Sequence, residues 1–236
     1  MSDNNNIQDN DNNSNFNTVK WIAVNGERQL ATLNLVKGNS VYGEKLVGHK
    51  GGEYRIWDPF RSKLAGAMKK GLKNPIKTSM KVLYLGASTG TTVSHVSDIV
   101  GSQGIVFAVE PAIRVARELI ENVASTRGNV VPIIEDARKP HSYFSIFGKV
   151  DIVYSDIAQS DQTDIAIANC HAHLKKGGAV LVIIKTRSID VTMEPKSVVA
   201  REAKRLEDDS FHIEQIINLD PFDKDHSMIY AKYHQN

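Results

Sequence analysis

The stretch VLYLGASTGTT, residues 82–92, decides the fold. Its first four residues are apolar, as in a buried parallel strand, and a turn containing Gly86 and Gly90 follows. Glycine is needed where the backbone turns sharply and approaches a ligand with no Cβ in the way. Thr91 and Thr92 then begin a helical pattern, whose N-terminal N–H groups can bind an anion. The G-x-x-x-G spacing differs from that of dinucleotide-binding folds.

Acidic residues end the next three apolar strands of the pattern. The run 105–110 ends in Glu110, about twenty residues after the glycine turn, from where a carboxylate can bind the two hydroxyls of a ribose. The run 130–136 ends in Asp136, and the run 150–156 ends in Asp156. Open α/β sheets bind ligands at the carboxyl ends of their strands, so these residues predict a ligand crevice there.

Strand and helix patterns alternate after residue 81. The predicted strands are 82–85, 105–110, 130–134, 150–155 and 179–185, and the predicted helices are 91–100, 112–123, 160–174 and 195–207. Two last strands, 212–219 and 227–233, have no helix between them, which predicts an antiparallel hairpin. We therefore predict an α/β fold with a seven-stranded, mostly parallel Rossmann-like sheet and a terminal antiparallel hairpin. That arrangement is typical of S-adenosylmethionine-dependent methyltransferases and not of dehydrogenases.

Composition divides the chain into three segments. Residues 1–17 hold eight asparagines and almost nothing apolar, which predicts a disordered tail. We predict a small N-terminal antiparallel β domain over residues 18–57 and the methyltransferase domain over residues 58–236. A helix is predicted from Pro59 to Gly71. The strands predicted in the small domain are 19–24, 29–34 and 41–46.

Charge is unevenly distributed along a chain whose net charge is only +2. Residues 18–82 carry thirteen Lys and Arg against four acids, a net charge of +9, which favours a nucleic-acid partner or an ordinary solvated surface. The single cysteine, Cys170, excludes an internal disulfide and favours a reducing, cytoplasmic compartment. We expect no membrane association, because no apolar run approaches the length of a membrane span.

Four residues are predicted to meet at one side of the crevice. Asp156, Lys185 and His226 stand at strand ends, and Lys63 lies on the basic predicted helix. A desolvated lysine among other cations can act as a base, a carboxylate can orient it, and a second cation can stabilise an alkoxide. Each residue taken alone is as well explained by a solvated strand end, a loop cap or a hydrogen-bonded core histidine.

The sequence contains no pattern typical of a metal site or of a phosphate-binding loop. Cys170, His171 and His173 lie on a predicted helix with spacings that do not converge on one metal ion, so no metal is expected. The chain contains no G-x-x-x-x-G-K-[ST] phosphate-binding loop.

Seven segments together resemble the fibrillarin family, the RNA ribose 2′-O-methyltransferases of box C/D ribonucleoprotein particles. They occur in the family's order and cover nearly all of the chain after residue 41. The segments are VYGEK (41–45), YRIWDPFRSKLA (54–65), VLYLGASTGTTVSHVSDIVG (82–101), PIIEDAR (132–138), SDIAQSDQT (155–163), LKKGGAVLVIIK (174–185) and PFDKDH (221–226).

The resemblance implies S-adenosyl-L-methionine as cofactor and Lys63, Asp156, Lys185 and His226 as the catalytic set. It places the methionine part near the glycine turn, the ribose on Glu110 and the adenine edge at the loop after residue 134. Pro111 departs from the family, which has an aromatic residue there. The implied cofactor-binding residues are Gly86, Ala87, Gly90, Thr91, Thr92, Glu110, Pro111, Asp136, Ala137, Asp156, Ile157, Ala158 and Gln159.

The family's function implies an enzyme that does not select its own target. A guide RNA pairs with the substrate rRNA, with tRNA as a second candidate substrate. A Nop-type scaffold protein and a kink-turn-binding ribosomal-type protein complete the particle. The chain has no Gly/Arg-rich N-terminal tract, which suggests an archaeal-type protein. Two alternatives stay open: a non-catalytic component of an RNA particle, and a guide-independent methyltransferase acting on RNA or protein.

Overall fold

The computed structural model describes residues 18–234, so the predicted tail 1–17 lies outside the described residues. The strands are β1 Val19–Val24, β2 Glu27–Leu33, β3 Leu46–His49, β4 Gly52–Ile56, β5 Lys81–Leu85, β6 Ile105–Val109, β7 Val130–Ile133, β8 Val150–Ser155, β9 Leu174–Lys185, β10 Phe211–Asn218 and β11 His226–Tyr233. The α-helices are α1 Lys63–Lys69, α2 Thr91–Val100, α3 Ile113–Leu119, α4 Phe144–Phe147, α5 Gln162–His173, α6 Thr186–Ile189 and α7 Pro195–Asp208. No helix among the described residues has the length and apolarity needed to cross a bilayer.

The larger sheet has seven strands in the order β10-β11-β9-β8-β5-β6-β7. The five strands from β9 to β7 are mutually parallel, whereas β11 pairs antiparallel with both β9 and β10. The predicted mostly parallel sheet and its terminal hairpin are therefore confirmed. The chain runs outward from β5 to β6 and β7 and then returns to β8, so the direction of winding reverses at β5. The helices that follow the neighbouring strands β5 and β8, α2 and α5, pack on opposite faces of the sheet, so what we call the strand-end crevice opens at the carboxyl ends of these strands.

Both faces of this sheet are buried, because its inner strands are apolar at almost every position. Alternate residues of β9 point to opposite faces. Val180 and Val182 pack in the apolar cluster that includes α5 and α7, while Leu181 and Ile183 pack in the cluster that includes α1 and α2. The continuous apolar runs in the sequence are explained by this double burial.

The smaller sheet has four strands in the order β1-β2-β4-β3, all antiparallel. The predicted strand 41–46 is wrong, and β4 was not predicted. Residues 41–43 form bends because the Glu44 carboxylate accepts hydrogen bonds from the backbone N–H groups of Val41 and Tyr42. The segment is therefore a side-chain-stabilised turn and not a strand.

The predicted helix from Pro59 to Gly71 is shorter in the structure. It begins after Ser62, whose hydroxyl caps the helix by accepting a hydrogen bond from the Ala65 N–H. The preceding residues form a turn held by Asp58, which accepts from the Phe60 N–H. The end of the helix agrees with the prediction, since Gly71 has a φ of 98°.

The helices differ from the prediction at three further places in the chain. The helix predicted at 112–123 is α3 followed by a π-helical turn, Ile120–Ala124. A 3-10 turn, Pro140–Tyr143, leads into α4, and α6 follows β9. These short elements were not predicted because four or five residues carry too little periodicity to show a helical pattern.

A buried carboxylate joins the smaller sheet to α2. Asp98 of α2 accepts hydrogen bonds from Arg55 of β4 at 2.8 Å, from Thr32 of β2 at 2.7 Å and from Arg127 at 2.5 Å. The side chains of Arg55, Asp98 and Arg127 are fully buried. The division of the chain at residues 57 and 58 stays a prediction, and this network shows that the two parts are bonded through their interiors.

His95 lies beside this network and is fully buried. Its Nδ1 is 2.8 Å from the Thr32 hydroxyl, its Nε2 is 2.7 Å from the Tyr42 hydroxyl, and its ring stacks on Trp57 at a centroid distance of 4.7 Å. Burial, reinforced by the positive charge of Arg55, holds the pKa of His95 well below its ordinary value. The imidazole is therefore neutral in the folded protein at neutral pH.

We expect His95 to make stability depend on pH. The unfolded chain binds a proton at His95 below about pH 6.5 and the folded chain does not, so the unfolding free energy falls as the pH falls below that value, by up to about 1.4 kcal/mol per pH unit. Urea unfolding between about pH 7.5 and pH 5 measures the slope. His95→Gln should lose this part of the slope, and equal slopes in the two proteins would contradict the assignment.

Candidate active site

The glycine turn after β5 brings two loops into close contact. The N–H groups of Gly86 and Ala87 both donate to the carbonyl oxygen of Val109, at 3.0 Å, so the turn is held against the end of β6. Gly86 has a φ of 78°, and a Cβ on it would lie 2.8 Å from the carbonyl oxygen of Asp156. Only glycine fits where the loops after β5 and β8 meet.

The first turn of α2 is connected to the beginning of α1. Gly90 precedes α2 with a φ of 94°, and a Cβ there would lie 2.5 Å from the Val123 side chain. Thr92 is buried and donates a hydrogen bond from its hydroxyl to the Ser62 hydroxyl at 3.0 Å. Since Ser62 caps α1, this bond sets the position of the next residue, Lys63, relative to the crevice.

Glu110 stands at the end of β6 with its carboxylate held from two sides. Oε2 accepts from the Ser88 N–H at 3.0 Å, and Oε1 accepts from the Ala112 N–H at 3.1 Å. A carboxylate oxygen can accept two hydrogen bonds, so each keeps capacity for a hydroxyl donor. Pro111, next in the chain, is exposed.

The remaining predicted cofactor residues lie in the loops after β7 and β8. Asp136 accepts from the Arg138 N–H at 2.9 Å, and the Ala137 carbonyl oxygen accepts from the buried Asn169 side chain at 2.8 Å. Gln159 accepts at its side-chain oxygen from the Arg138 guanidinium at 3.0 Å. Ile157 and Ala158 precede Gln159 in the loop after β8.

The four predicted catalytic residues and one unpredicted residue form what we call the lysine–aspartate cluster: Lys63, Asp156, Lys185, Asp223 and His226. The Lys185 ammonium lies 2.8 Å from Asp156 Oδ1 and 3.0 Å from the Asp156 carbonyl oxygen. The Lys63 ammonium lies 3.2 Å from Asp156 Oδ2 and 3.5 Å from Asp223 Oδ2. One carboxylate therefore holds both lysines at the mouth of the crevice.

Lys63 is a cation in this arrangement. Burial alone would lower the pKa of Lys63, but the carboxylates of Asp156 and Asp223 outweigh it and raise the pKa above its ordinary value. A charged ammonium donates hydrogen bonds and cannot take a proton. Lys63 therefore suits stabilisation of negative charge and does not suit the role of base.

His226 is oriented by two acceptors. Its Nδ1 lies 2.8 Å from Asp223 Oδ1 and 2.7 Å from the Lys224 carbonyl oxygen. Both partners only accept, so Nδ1 carries a hydrogen, which assigns the lone pair of the neutral tautomer to Nε2. His226 pairs with Lys185 in the β9–β11 register, and it lines a groove of about 550 Å³ between α7 and the terminal hairpin.

Asp223 was missed by the sequence analysis although it lies in the PFDKDH segment. Asp223 Oδ2 contacts Lys63, and Asp223 Oδ1 contacts His226. Asp223 therefore links both residues to the loop between β10 and β11. Its spacing from His226, three residues in a non-helical loop, gives no local sign of the contact. Among the described residues, no three His, Cys, Asp or Glu side chains are grouped as a metal site would require.

Comparison with known proteins identifies the family. The Fibrillarin family model matches residues 11–235. The chain belongs to the fibrillarin family. Its relatives include the fibrillarin-like rRNA/tRNA 2′-O-methyltransferase of Saccharolobus islandicus, 54% identical over 209 residues, which span 88% of this chain and 90% of the relative.

Two solved fibrillarin structures are similar over almost their whole length. Aeropyrum pernix fibrillarin, crystallised with natively bound S-adenosyl-L-methionine, is 45% identical with a TM-score of 0.85, covering 93% of this chain and 96% of that chain. A fibrillarin in complex with Nop5p is 40% identical with a TM-score of 0.83, covering 93% and 98%. The resemblance stated from the sequence motifs is thereby confirmed, and so is the methyltransferase fold.

We expect Gly86→Ala to disturb the junction of the two loops. The added Cβ meets the Asp156 carbonyl oxygen and demands an unfavourable φ, so we expect a loss of about 1–3 kcal/mol in the unfolding free energy. Chemical unfolding measures this loss. Gly128→Ala is the control, because no atom lies within 4 Å of its added Cβ. Equal stability of the two variants would show that the junction is not tightly packed.

Proposed function

We propose that this fibrillarin-family protein transfers the methyl group of S-adenosyl-L-methionine to ribose 2′-hydroxyls of rRNA and tRNA. The observation that supports this most is the lysine–aspartate cluster beside a crevice that carries a poised carboxylate, Glu110. The activity named for the Saccharolobus islandicus relative and the cofactor bound by Aeropyrum pernix fibrillarin agree with it.

The residues of the strand-end crevice fit that cofactor. Glu110 has acceptor capacity for two ribose hydroxyls, and its position at the end of β6 suits a nucleoside. Gly86 lets the loops after β5 and β8 pack closely against each other beside this crevice. In this proposal Asp136 lies at the adenine edge, and Gln159 lines the far side of the cofactor. When bound, S-adenosyl-L-methionine supplies an electrophilic methyl group on a sulfonium.

The lysines prepare the attacking hydroxyl. Lys185 has three N–H donors, and its two contacts with Asp156 leave one for the ribose oxygen. Lys63 remains positively charged and stabilises negative charge that develops on that oxygen. Asp156 holds both ammonium groups in position, which reduces the reorganisation needed during the reaction.

His226 is the residue in the cluster best suited to take the hydroxyl proton. Asp223 and the Lys224 carbonyl oxygen hold its Nδ1–H, so Nε2 can act as the acceptor. The expectation that a lysine acts as base does not suit Lys63, whose pKa is raised by the carboxylates of Asp156 and Asp223. The individual catalytic and cofactor-binding roles remain predictions.

The partners follow from the family and from charge. A Nop-type scaffold is supported by the fibrillarin/Nop5p complex. We further propose a guide RNA that selects the target and a kink-turn-binding protein that completes the particle. The net charge of +9 in residues 18–82, which include α1, suits contacts with phosphates, while base pairing with the guide supplies sequence specificity. We also propose a cytoplasmic location in an archaeal-type cell, consistent with a single, buried cysteine.

The first test is methyl transfer in a reconstituted particle. Labelled S-adenosyl-L-methionine is supplied with target RNA, guide RNA, a Nop-type scaffold and a kink-turn-binding protein, and each component is then omitted in turn. We expect label on one ribose, lost without guide or scaffold. Label that persists without guide would show a guide-independent enzyme. Cofactor binding without any transfer would show a non-catalytic particle component.

Lys185→Ala should separate chemistry from cofactor binding. We expect turnover to fall by about 10²–10⁴-fold, because the ribose oxygen loses its donor. The dissociation constant for S-adenosyl-L-methionine, measured by calorimetry, should stay within about threefold. Asp136→Ala is the complementary control, with cofactor affinity lowered about tenfold. Near-normal turnover in Lys185→Ala would refute its assigned role.

A further inference from the structure

Arg138 bridges two loops that border the strand-end crevice. Its Nε donates to Asp161 Oδ2 at 3.0 Å, and its Nη2 donates to Asp161 Oδ1 at 2.8 Å and to Gln159 Oε1 at 3.0 Å. Its backbone N–H donates to Asp136 Oδ1 at 2.9 Å. One residue therefore contacts both Asp136, which is proposed to lie at the adenine edge, and Gln159, which is proposed to line the far side of the cofactor.

The two loops come from strands that are not neighbours. Arg138 follows β7 and Asp161 follows β8, and in the sheet β5 and β6 lie between those strands. The carboxyl ends of β5 and β6 carry the glycine turn and Glu110. A contact between the outer loops thus joins the two sides of the crevice, close to the buried hydrogen bond from Asn169 to the Ala137 carbonyl oxygen.

The acceptor of the Arg138 bridge is Asp161, a residue that could instead cap a helix. Asp161 is the N-cap residue of α5, and aspartate is among the preferred capping residues. Its side chain makes no capping bond here, and each of its two oxygens accepts a hydrogen bond from Arg138. A residue that breaks a local rule often serves a site elsewhere in the protein.

The charges support the geometry. The hydrogen bonds from Arg138 hold the pKa of Asp161 below its ordinary value, so the carboxylate is ionised at neutral pH. A bidentate arginine–carboxylate pair fixes direction as well as distance, which a lysine in the same place would not do. Both side chains are about two-fifths exposed, so the pair is accessible to salt.

We propose that Arg138 is a positioning residue whose pairing with Asp161 joins the loops after β7 and β8, a contact that we call the clasp, so that Asp136 at the adenine edge and Gln159 on the far side hold the cofactor together. The inference rests on the proposed function, since it assumes a nucleoside cofactor in this crevice. The clasp slows dissociation of the bound cofactor. It does not change the chemistry at the lysine–aspartate cluster.

The test measures cofactor binding by the full-length protein and turnover by the same protein in the reconstituted particle. Arg138→Met should raise the dissociation constant for S-adenosyl-L-methionine about 3- to 10-fold, mainly through faster dissociation, as expected for a bidentate but exposed pair. The KM for the cofactor should rise in parallel, with kcat at saturating cofactor and the KM for RNA unchanged. The difference from wild type should shrink at about 1 M salt.

Further variants separate the clasp from a general structural effect. Asp161→Asn keeps a capping residue but removes the charge, and should weaken binding in the same way. Exchange of the partners, Arg138→Asp with Asp161→Arg, should restore part of the affinity. Lys175→Met is the matched control. It breaks an ion pair with Asp151 at the amino ends of β8 and β9, away from the strand-end crevice, and should leave the affinity for the cofactor unchanged.

Three results would overturn the proposal: an unchanged dissociation constant in Arg138→Met, no recovery in the exchanged pair, or an equal effect in Lys175→Met. Failure of the proposed function looks different. In that case the wild-type protein itself would not bind S-adenosyl-L-methionine or would not transfer its methyl group to RNA.

Discussion

The buried carboxylate of Asp98 is the constraint on which the arrangement of this protein depends. It is bonded by guanidinium groups from two other parts of the chain, Arg55 and Arg127, and all three side chains are buried. Breaking one partner of such a pair costs about 3–5 kcal/mol, because the other charge remains buried and unpaired. The network thus specifies how the smaller sheet sits on α2.

The contact of the smaller sheet with α2 also positions the active-site residue Lys63. The chain leaves β4, which carries Arg55, and reaches Ser62 and Lys63 within eight residues. Ser62 bonds Thr92 in the first turn of the same helix that carries Asp98. The position of Lys63 beside Asp156 is therefore set from two sides, by the docked sheet and by the beginning of α2. The smaller sheet therefore helps to position the active site.

Asp156 and Arg138 play comparable parts at two ends of one crevice. Asp156 gathers two lysines where the proposed methyl transfer takes place, and Arg138 gathers two loops where the nucleobase end is proposed to lie. In each case a single planar group binds partners from separate elements. The affinity for cofactor and the orientation of the acceptor thus depend on different contacts, which lets each be altered alone.

The order and type of the main elements could be predicted from sequence, because they follow from local periodicity. The limits of α2 and β8 and the terminal hairpin agree with the prediction, and Asp156, Lys185 and His226 could be placed together because they occupy strand ends at one edge. The segment 41–46 was predicted wrongly, since Glu44 there satisfies the backbone of a turn that a strand pattern does not reveal.

What the sequence determined by itself was the sheet, its winding and the family, because hydrophobic spacing and long motifs are properties of the chain alone. The tertiary structure decided the pairings between distant residues. Asp223 joins Lys63 across 160 positions, and Arg138 joins Asp161 across 23. Such contacts leave no periodic signal in the sequence, since they exist only when folding brings separate loops to the same edge of the sheet.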